Sequence, residues 1–221
     1  MTETSSSTTS RVASQRIADV IADRILGGQL TPGARIIQDE IAEELKASRL
    51  PVREALRILE SRGLVTLRAN AGAWVARMDP HDCELSYTIR ERIEPLLLAE
   101  SIPRLDDRAI DSMAAIQQEI SRCTDVEQFL VLDRQFHWMS YSGHKAPHLA
   151  TMIERLWDTT QPYRRAFAKL GRGEAWIIDA EHDLLVESIR SRDIETASSV
   201  LKTHIQRTKV KLTQHPELFK N

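Results

Sequence analysis

Asp133 and His137 sit four residues apart in the stretch "VLDRQFHWM" (131–139). On a helix that spacing puts a carboxylate and an imidazole on one face. Two chemistries fit: a buried histidine hydrogen-bonded to an aspartate, or half of a metal site. Two more histidines fall in mid-helix, apolar surroundings: His182 in "AEHDLLVESI" and His204 in "LKTHIQRT". Neutral imidazoles with one carboxylate suit zinc, nickel, manganese or another first-row divalent ion. A lone histidine of this kind is more often a core or boundary residue than a ligand. Three of them with Asp133 make a candidate donor set only if three helices converge, which spacing alone does not establish. The other histidines, His81, His144, His148 and His215, fall near expected element ends and are expected in solvent.

The elements that must position these donors are helical. From 82 onward the periodicity gives six helices, about 82–101, 106–122, 125–142, 147–170, 174–191 and 193–213. Breaks fall at Pro103, at "SGHKAP", at Gly171–Gly173 and at Arg192-Asp193. This predicts an all-α bundle over 79–221, with no glycine-rich phosphate loop and no serine nucleophile elbow.

Upstream the pattern differs. Residues 12–26 repeat Ile17, Val20, Ile21 and Ile25 at helical spacing, and Gly27-Gly28 stop the helix. A helix over about 38–46 follows, with Ile41, Ala42 and Leu45 inward. After a tight turn, Ser48 is placed as the N-cap of a helix over about 49–61. Val52, Ala55, Leu56 and Leu59 share one face of that helix, and Arg49, Arg53 and Arg57 form a basic stripe beside it. Two short helices of this kind describe a helix-turn-helix, whose arginines could read guanine edges or grip phosphates. A solvated basic face is the alternative. "GLVTLRANAGAWVARM" alternates about a turn at Asn70–Gly72 and predicts a β-hairpin. The order completes a winged helix, with Arg68 and Gly72 near the phosphates or the minor groove. The fold class is therefore mostly α: a winged helix-turn-helix with a small hairpin wing over 11–78, then a six-helix bundle.

Charge agrees with that division. Residues 11–78 carry 11 Lys and Arg against 8 Asp and Glu, whereas 79–221 carry 19 against 23. A basic reader joined to an acidic body suits a protein that meets nucleic acid. No apolar run is long enough to span a bilayer. The Ser/Thr-rich segment 1–10 has no signal-peptide core and is expected to be a disordered tail, with the protein cytoplasmic. Cys83 and Cys123 are too few for a disulfide framework and lack zinc spacing.

Residues 14–77 resemble the DNA-binding domain of the GntR superfamily of bacterial transcription regulators. The likeness rests on "GGQLTPGARI", "IAEELKASRLPVREALRILESRGLV" and "AGAWV". Two positions depart from the family pattern. Lys46-Ala47 replaces the frequent Gly-Val of the turn, and Asp39 stands where many members carry a basic residue. Residues 82–213 resemble the ligand-sensing FCD domain of the FadR subfamily, through "IRERIEPLLLAE", "DRQFH", "AEHDLLVESIRSRDIETA" and "LKTHI"; six helices are like its VanR-type branch. The resemblance implies a homodimer on a palindromic DNA operator, more often a repressor than an activator, and not an enzyme. It implies Asp133, His137, His182 and His204 as ligands of a divalent cation, and a small organic acid as effector. It also puts Arg90 towards the effector cavity, although an i,i+4 pair with Glu94 is an equal alternative. Tyr163, Trp138 and Arg164 are further candidates for the cavity wall. Other uses of the same donors are a metal-dependent hydrolase or lyase, a metal-responsive regulator, or a purely structural metal.

Overall fold

The computed structural model describes residues 3–69, 71–170 and 175–219, and the chain divides into two compact units between Met78 and Asp79. The first unit contains α1 (Glu3–Leu26), β1 (Arg35–Ile36), α2 (Gln38–Glu44), α3 (Arg49–Ser61), β2 (Val65–Arg68) and β3 (Gly72–Val75). Ile17, Ala18, Ile21 and Ile25 of α1 recur every three to four residues. They bury against Val52, Ala55, Leu56 and Leu59 of α3 in one core. α1 starts at Glu3, so residues 3–10 lie in this helix, where a disordered tail was expected over 1–10. It contains no Gly or Pro, and Ser and Thr disfavour helix only mildly once a neighbouring apolar face has nucleated it.

Helix ends follow from local chemistry. At the end of α3, Gly63 takes φ 79°, the Leu64 N–H donates to Leu59 O at 3.0 Å, and the Gly63 N–H donates to Glu60 O at 2.9 Å. This is a Schellman ending with glycine at its left-handed position. α2 ends the same way, but there the left-handed residue is Lys46, at φ 50°. A lysine at that φ crowds its own Cβ. Lys46→Gly is expected to raise the urea midpoint of the first unit, by about 0.5–1 kcal/mol of stability.

The three strands form an antiparallel sheet in the order β1-β3-β2. Arg35 pairs with Trp74, Thr66 with Trp74, and Arg68 with Gly72. Ile36, Val65, Ala73 and Val75 therefore face the core, and Arg35, Thr66, Arg68 and Trp74 face away from it. β1 was not anticipated, because two residues carry no visible alternation. The expected hairpin tip at Asn70 and helix break at Gly171–Gly173 lie outside the described residues.

The second unit contains α4 (Pro80–Ser101), α5 (Asp107–Arg122), α6 (Val126–Tyr141), α7 (Pro147–Lys169), α8 (Ala175–Arg190) and α9 (Ile194–Thr213). Four aspartates set helix starts: Asp79, Asp106, Asp125 and Asp193 each accept from the backbone N–H three residues on, at 2.8–3.0 Å. α4 packs on α7 and α9, and α5 packs on α6 and α8. The core includes Leu97, Met113, Phe136, Trp157, Leu185 and Leu201. Burial pushes the Cys83 thiol up to about 12, which makes it an inert core residue.

Candidate metal centre

Within this bundle sits a set of buried polar groups that a hydrophobic core does not require. Asp133 and His137 come from α6, His182 from α8 and His204 from α9. One donor atom from each lies within 4.8 Å of the others. Asp133, His137 and His182 are buried, and His204 is half-buried.

The hydrogen bonds fix which atoms face inward. His182 Nδ1 donates to Gln117 Oε1 at 2.8 Å. Its Nε2 lone pair then points 3.6 Å from Asp133 Oδ1, and that nitrogen is buried with no hydrogen-bond partner. His204 Nδ1 donates to Glu181 Oε2 at 3.0 Å, and Arg207 holds the other oxygen of Glu181. His137 Nε2 stands 3.8 Å from the same Oδ1 of Asp133. The second oxygen of Asp133 takes a hydrogen bond from Arg164. The Nε2 lone pairs of His182 and His204 are thus left without protons, and with Oδ1 of Asp133 and a ring nitrogen of His137 they make a donor set that fits a cation.

Charge states agree. Burial disfavours the charged form of Asp133, but Arg164 and the three imidazoles more than offset this and hold its carboxyl well below the usual range. Burial, reinforced by its histidine neighbours, brings His182 down to about 3. Burial likewise lowers His137 well below its ordinary value, although Asp133 opposes it. At neutral pH His137 and His182 are uncharged and each keeps a ring lone pair available.

A cavity of about 430 Å³, its open mouth included, adjoins the cluster and is lined by Asp133, His137 and His204 together with Tyr87, Arg90 and Arg164. The Tyr87 hydroxyl is buried and has no hydrogen-bond partner among the described residues. Burial raises its pKa, so it remains a donor. Arg90 and Arg164 both lie over the Trp157 ring, at 4.6 and 4.1 Å from its centroid. Both readings of Arg90 hold at once: it lines the cavity, and its Nε donates to Glu94. Its Nη1 donates to Thr160 Oγ1 at 3.1 Å, and Tyr141 donates to Glu94 at 2.7 Å. Glu94 is fully buried. Glu94→Ala would strand the Arg90 charge and the Tyr141 hydroxyl, and chemical denaturation is expected to show a loss of about 3–5 kcal/mol.

Tyr163 does not line this cavity. Its hydroxyl accepts from the Asp79 N–H at 2.9 Å and donates to the Asp79 carbonyl at 3.1 Å. Arg164, the next residue, does line the cavity, whereas the Tyr163 ring is directed to the start of α4. Trp138 is also absent from the wall, its ring packing edge-on to Tyr141.

In the first unit, Ser48 occupies the N-cap of α3, but its hydroxyl makes no capping bond and stays exposed. Arg49 pairs with Asp39 at 2.7 Å and Arg57 with Glu54 at 2.9 Å. Exposed Arg53 has no carboxylate partner among the described residues. Arg68 lies over the Trp74 ring at 4.9 Å, and Gly72 takes φ 122°. The spacing did not single out Gln117 or Glu181. Glu181 directly precedes a candidate ligand, but Gln117 lies on another helix and left no sequence signal.

Residues 85–207 match the FCD domain, and residues 13–75 match the bacterial regulatory proteins of the gntR family. This chain is a GntR-family regulator with an FCD domain. Among curated relatives, it is 28% identical over 192 residues to an HTH-type transcriptional regulator in an unstable DNA locus of Streptomyces ambofaciens, covering 82% of this chain and 77% of that protein. It is 26% identical over 210 residues to a probable D-xylose utilization operon transcriptional repressor of Paenarthrobacter nicotinovorans, covering 93% and 91%. The solved structure of E. coli McbR/YncC shares the fold with a TM-score of 0.82 at 23% identity, covering 92% of this chain and 98% of that one. The GntR-family regulator is thus a DNA-binding transcription regulator, and none of its described helices is long and apolar enough to cross a membrane.

Proposed function

We propose that this regulator is a cytoplasmic homodimeric repressor that holds a divalent metal, zinc first, at Asp133, His137, His182 and His204. A small carboxylate bound beside the metal releases a palindromic operator. The observation that carries this is the shared cavity: three of the four donors and two arginines line one wall system, together with a tyrosine hydroxyl that lacks a hydrogen-bond partner among the described residues. Charge favours an anion there. Asp133 balances Arg164, Glu94 balances Arg90, and His137 and His182 are neutral, so a divalent ion would leave the cavity positive. When bound, the metal would supply open coordination positions for the carboxylate. Tyr87 and Arg164 would orient that group, and the apolar wall of Phe129, Phe167 and Ile178 would exclude water from its remainder.

α7 offers a route outward. Arg164 holds Asp133, while Tyr163, the next residue back, clamps both backbone groups of Asp79, where the helical unit begins. A ligand that competes for Arg164 would bias the seat of Asp79. At the other end, exposed Leu50 lies among the arginines of α3, where it could meet a thymine methyl. A regulator fits this chain better than a hydrolase. Glu181, the carboxylate beside His204, is already committed to Arg207 and is not a free base.

The test uses zinc-loaded protein and an operator selected from random duplexes. Small mono- and dicarboxylates are screened for operator release. At least one is expected to weaken binding tenfold or more. Tyr87→Phe and Arg164→Lys should raise the concentration required. If no carboxylate changes operator affinity, the effector reading fails.

A further inference from the structure

The outward face of the small sheet carries an arrangement that the metal and effector readings leave unused. Trp74, on the central strand, is half-buried on the side away from the core. Arg35 is its direct cross-strand partner on β1, and Arg68 lies one diagonal step away on β2. Both guanidinium groups sit against its ring, Arg68 at 4.9 Å and Arg35 at 5.9 Å from the centroid. Arg35 also reaches the wing tip, where its Nη2 is 3.4 Å from Ala71 O. A Cβ on Gly72 would come within 3.8 Å of Arg35 Nε and 3.7 Å of the Trp74 ring, so the tip, the ring and Arg35 form one patch.

Neither arginine has a carboxylate partner among the described residues, unlike Arg49 and Arg57 on α3. Two unpaired cations are here drawn together at one strand end, against their mutual repulsion, by the face of an aromatic ring. Such a patch presents two fixed forks of N–H donors to an anion, and a DNA backbone offers phosphates in series.

We propose that Arg35, which lies outside both the recognition helix and the hairpin, contacts the DNA sugar–phosphate backbone together with Arg68, and that Trp74 is the residue that positions both. The contact carries affinity and leaves base discrimination to α3. It depends on the DNA-binding activity of the first unit and not on the metal or the effector.

The test measures the affinity of the full-length protein for a mixed-sequence duplex over a range of salt concentrations. Arg35→Ala is expected to weaken binding about tenfold and to flatten the slope of log K against log salt by about one per protomer. Arg35→Lys should restore the slope but only part of the affinity. Trp74→Leu should weaken binding, and the triple variant Arg35→Ala/Arg68→Ala/Trp74→Leu should be no weaker than the double variant Arg35→Ala/Arg68→Ala. Urea midpoints of all variants show that the unit is folded. Arg35→Ala with wild-type affinity and slope, beside a weakened Arg53→Ala, would overturn the proposal alone. A loss seen with the selected operator but not with mixed-sequence DNA would overturn the backbone assignment. If Arg53→Ala is silent as well, the DNA-binding reading of this unit fails and takes the proposal with it.

Discussion

Asp133→Ala is expected to abolish metal binding and, independently, to destabilise the helical unit by roughly 3–5 kcal/mol. The two effects have different origins. Oδ1 of Asp133 faces His137 and His182, so the variant loses the only carboxylate among the four donors. Oδ2 neutralises Arg164, which is 6% exposed. Removing the carboxylate leaves that guanidinium buried with Gln161 and the Trp157 ring as its remaining company. Those contacts hold the cost towards the lower end. Urea unfolding in EDTA isolates the stranded charge, and the extra gain of wild type in zinc isolates the metal. Asp133→Asn should recover part of the first and little of the second. A variant as stable as wild type in EDTA would mean that Arg164 is not held by Asp133.

Arg53→Ala is expected to weaken operator binding by about tenfold to a hundredfold with no loss of fold. Arg53 lies on the exposed face of α3, between Val52 and Glu54, and has no carboxylate to leave before it meets DNA. Arg49 and Arg57 must first give up Asp39 and Glu54, so their substitution should cost less. Because Arg53 is exposed and has no carboxylate partner among the described residues, the urea midpoint should stay within about 0.5 kcal/mol of wild type. Asp39→Ala frees Arg49 and should strengthen binding to mixed-sequence DNA at low salt.

The limits of sequence reading show at particular residues. α3 was legible to its ends because a serine in the cap position, a one-face apolar repeat and Gly63 all mark the same boundaries. The bundle helices were legible because their apolar periodicity is local and breaks such as Pro103 and Arg192-Asp193 separate them; the aspartate caps that open four of them went unread. Asp133 and His137 were legible as a pair because helical spacing is local. That His182 and His204 meet them depends on the packing of α6, α8 and α9, which no local pattern encodes. Tyr163 was misplaced because its partner is the backbone of Asp79, 84 residues away, and no local pattern encodes that contact; neighbours on a helix do line the cavity elsewhere, as His204 and Ile205 do. Gln117 was beyond reach, because a glutamine on α5 acquires its role only when α5 and α8 pack. β1 has too few residues to show a period, yet it brings Arg35 to Trp74.

The central claim is that four side chains from three helices hold one divalent ion. Elemental analysis of wild type and His182→Ala, purified without chelator and dialysed gently, tests it most directly, with zinc titration calorimetry on the same samples. About one ion per wild-type chain is expected, and a His182→Ala variant that remains helical but retains none and takes up none in the calorimeter. A folded wild type that carries no metal and binds none on titration would contradict it. The convergence of Asp133, His137, His182 and His204 would then be a hydrogen-bonded core and not a site.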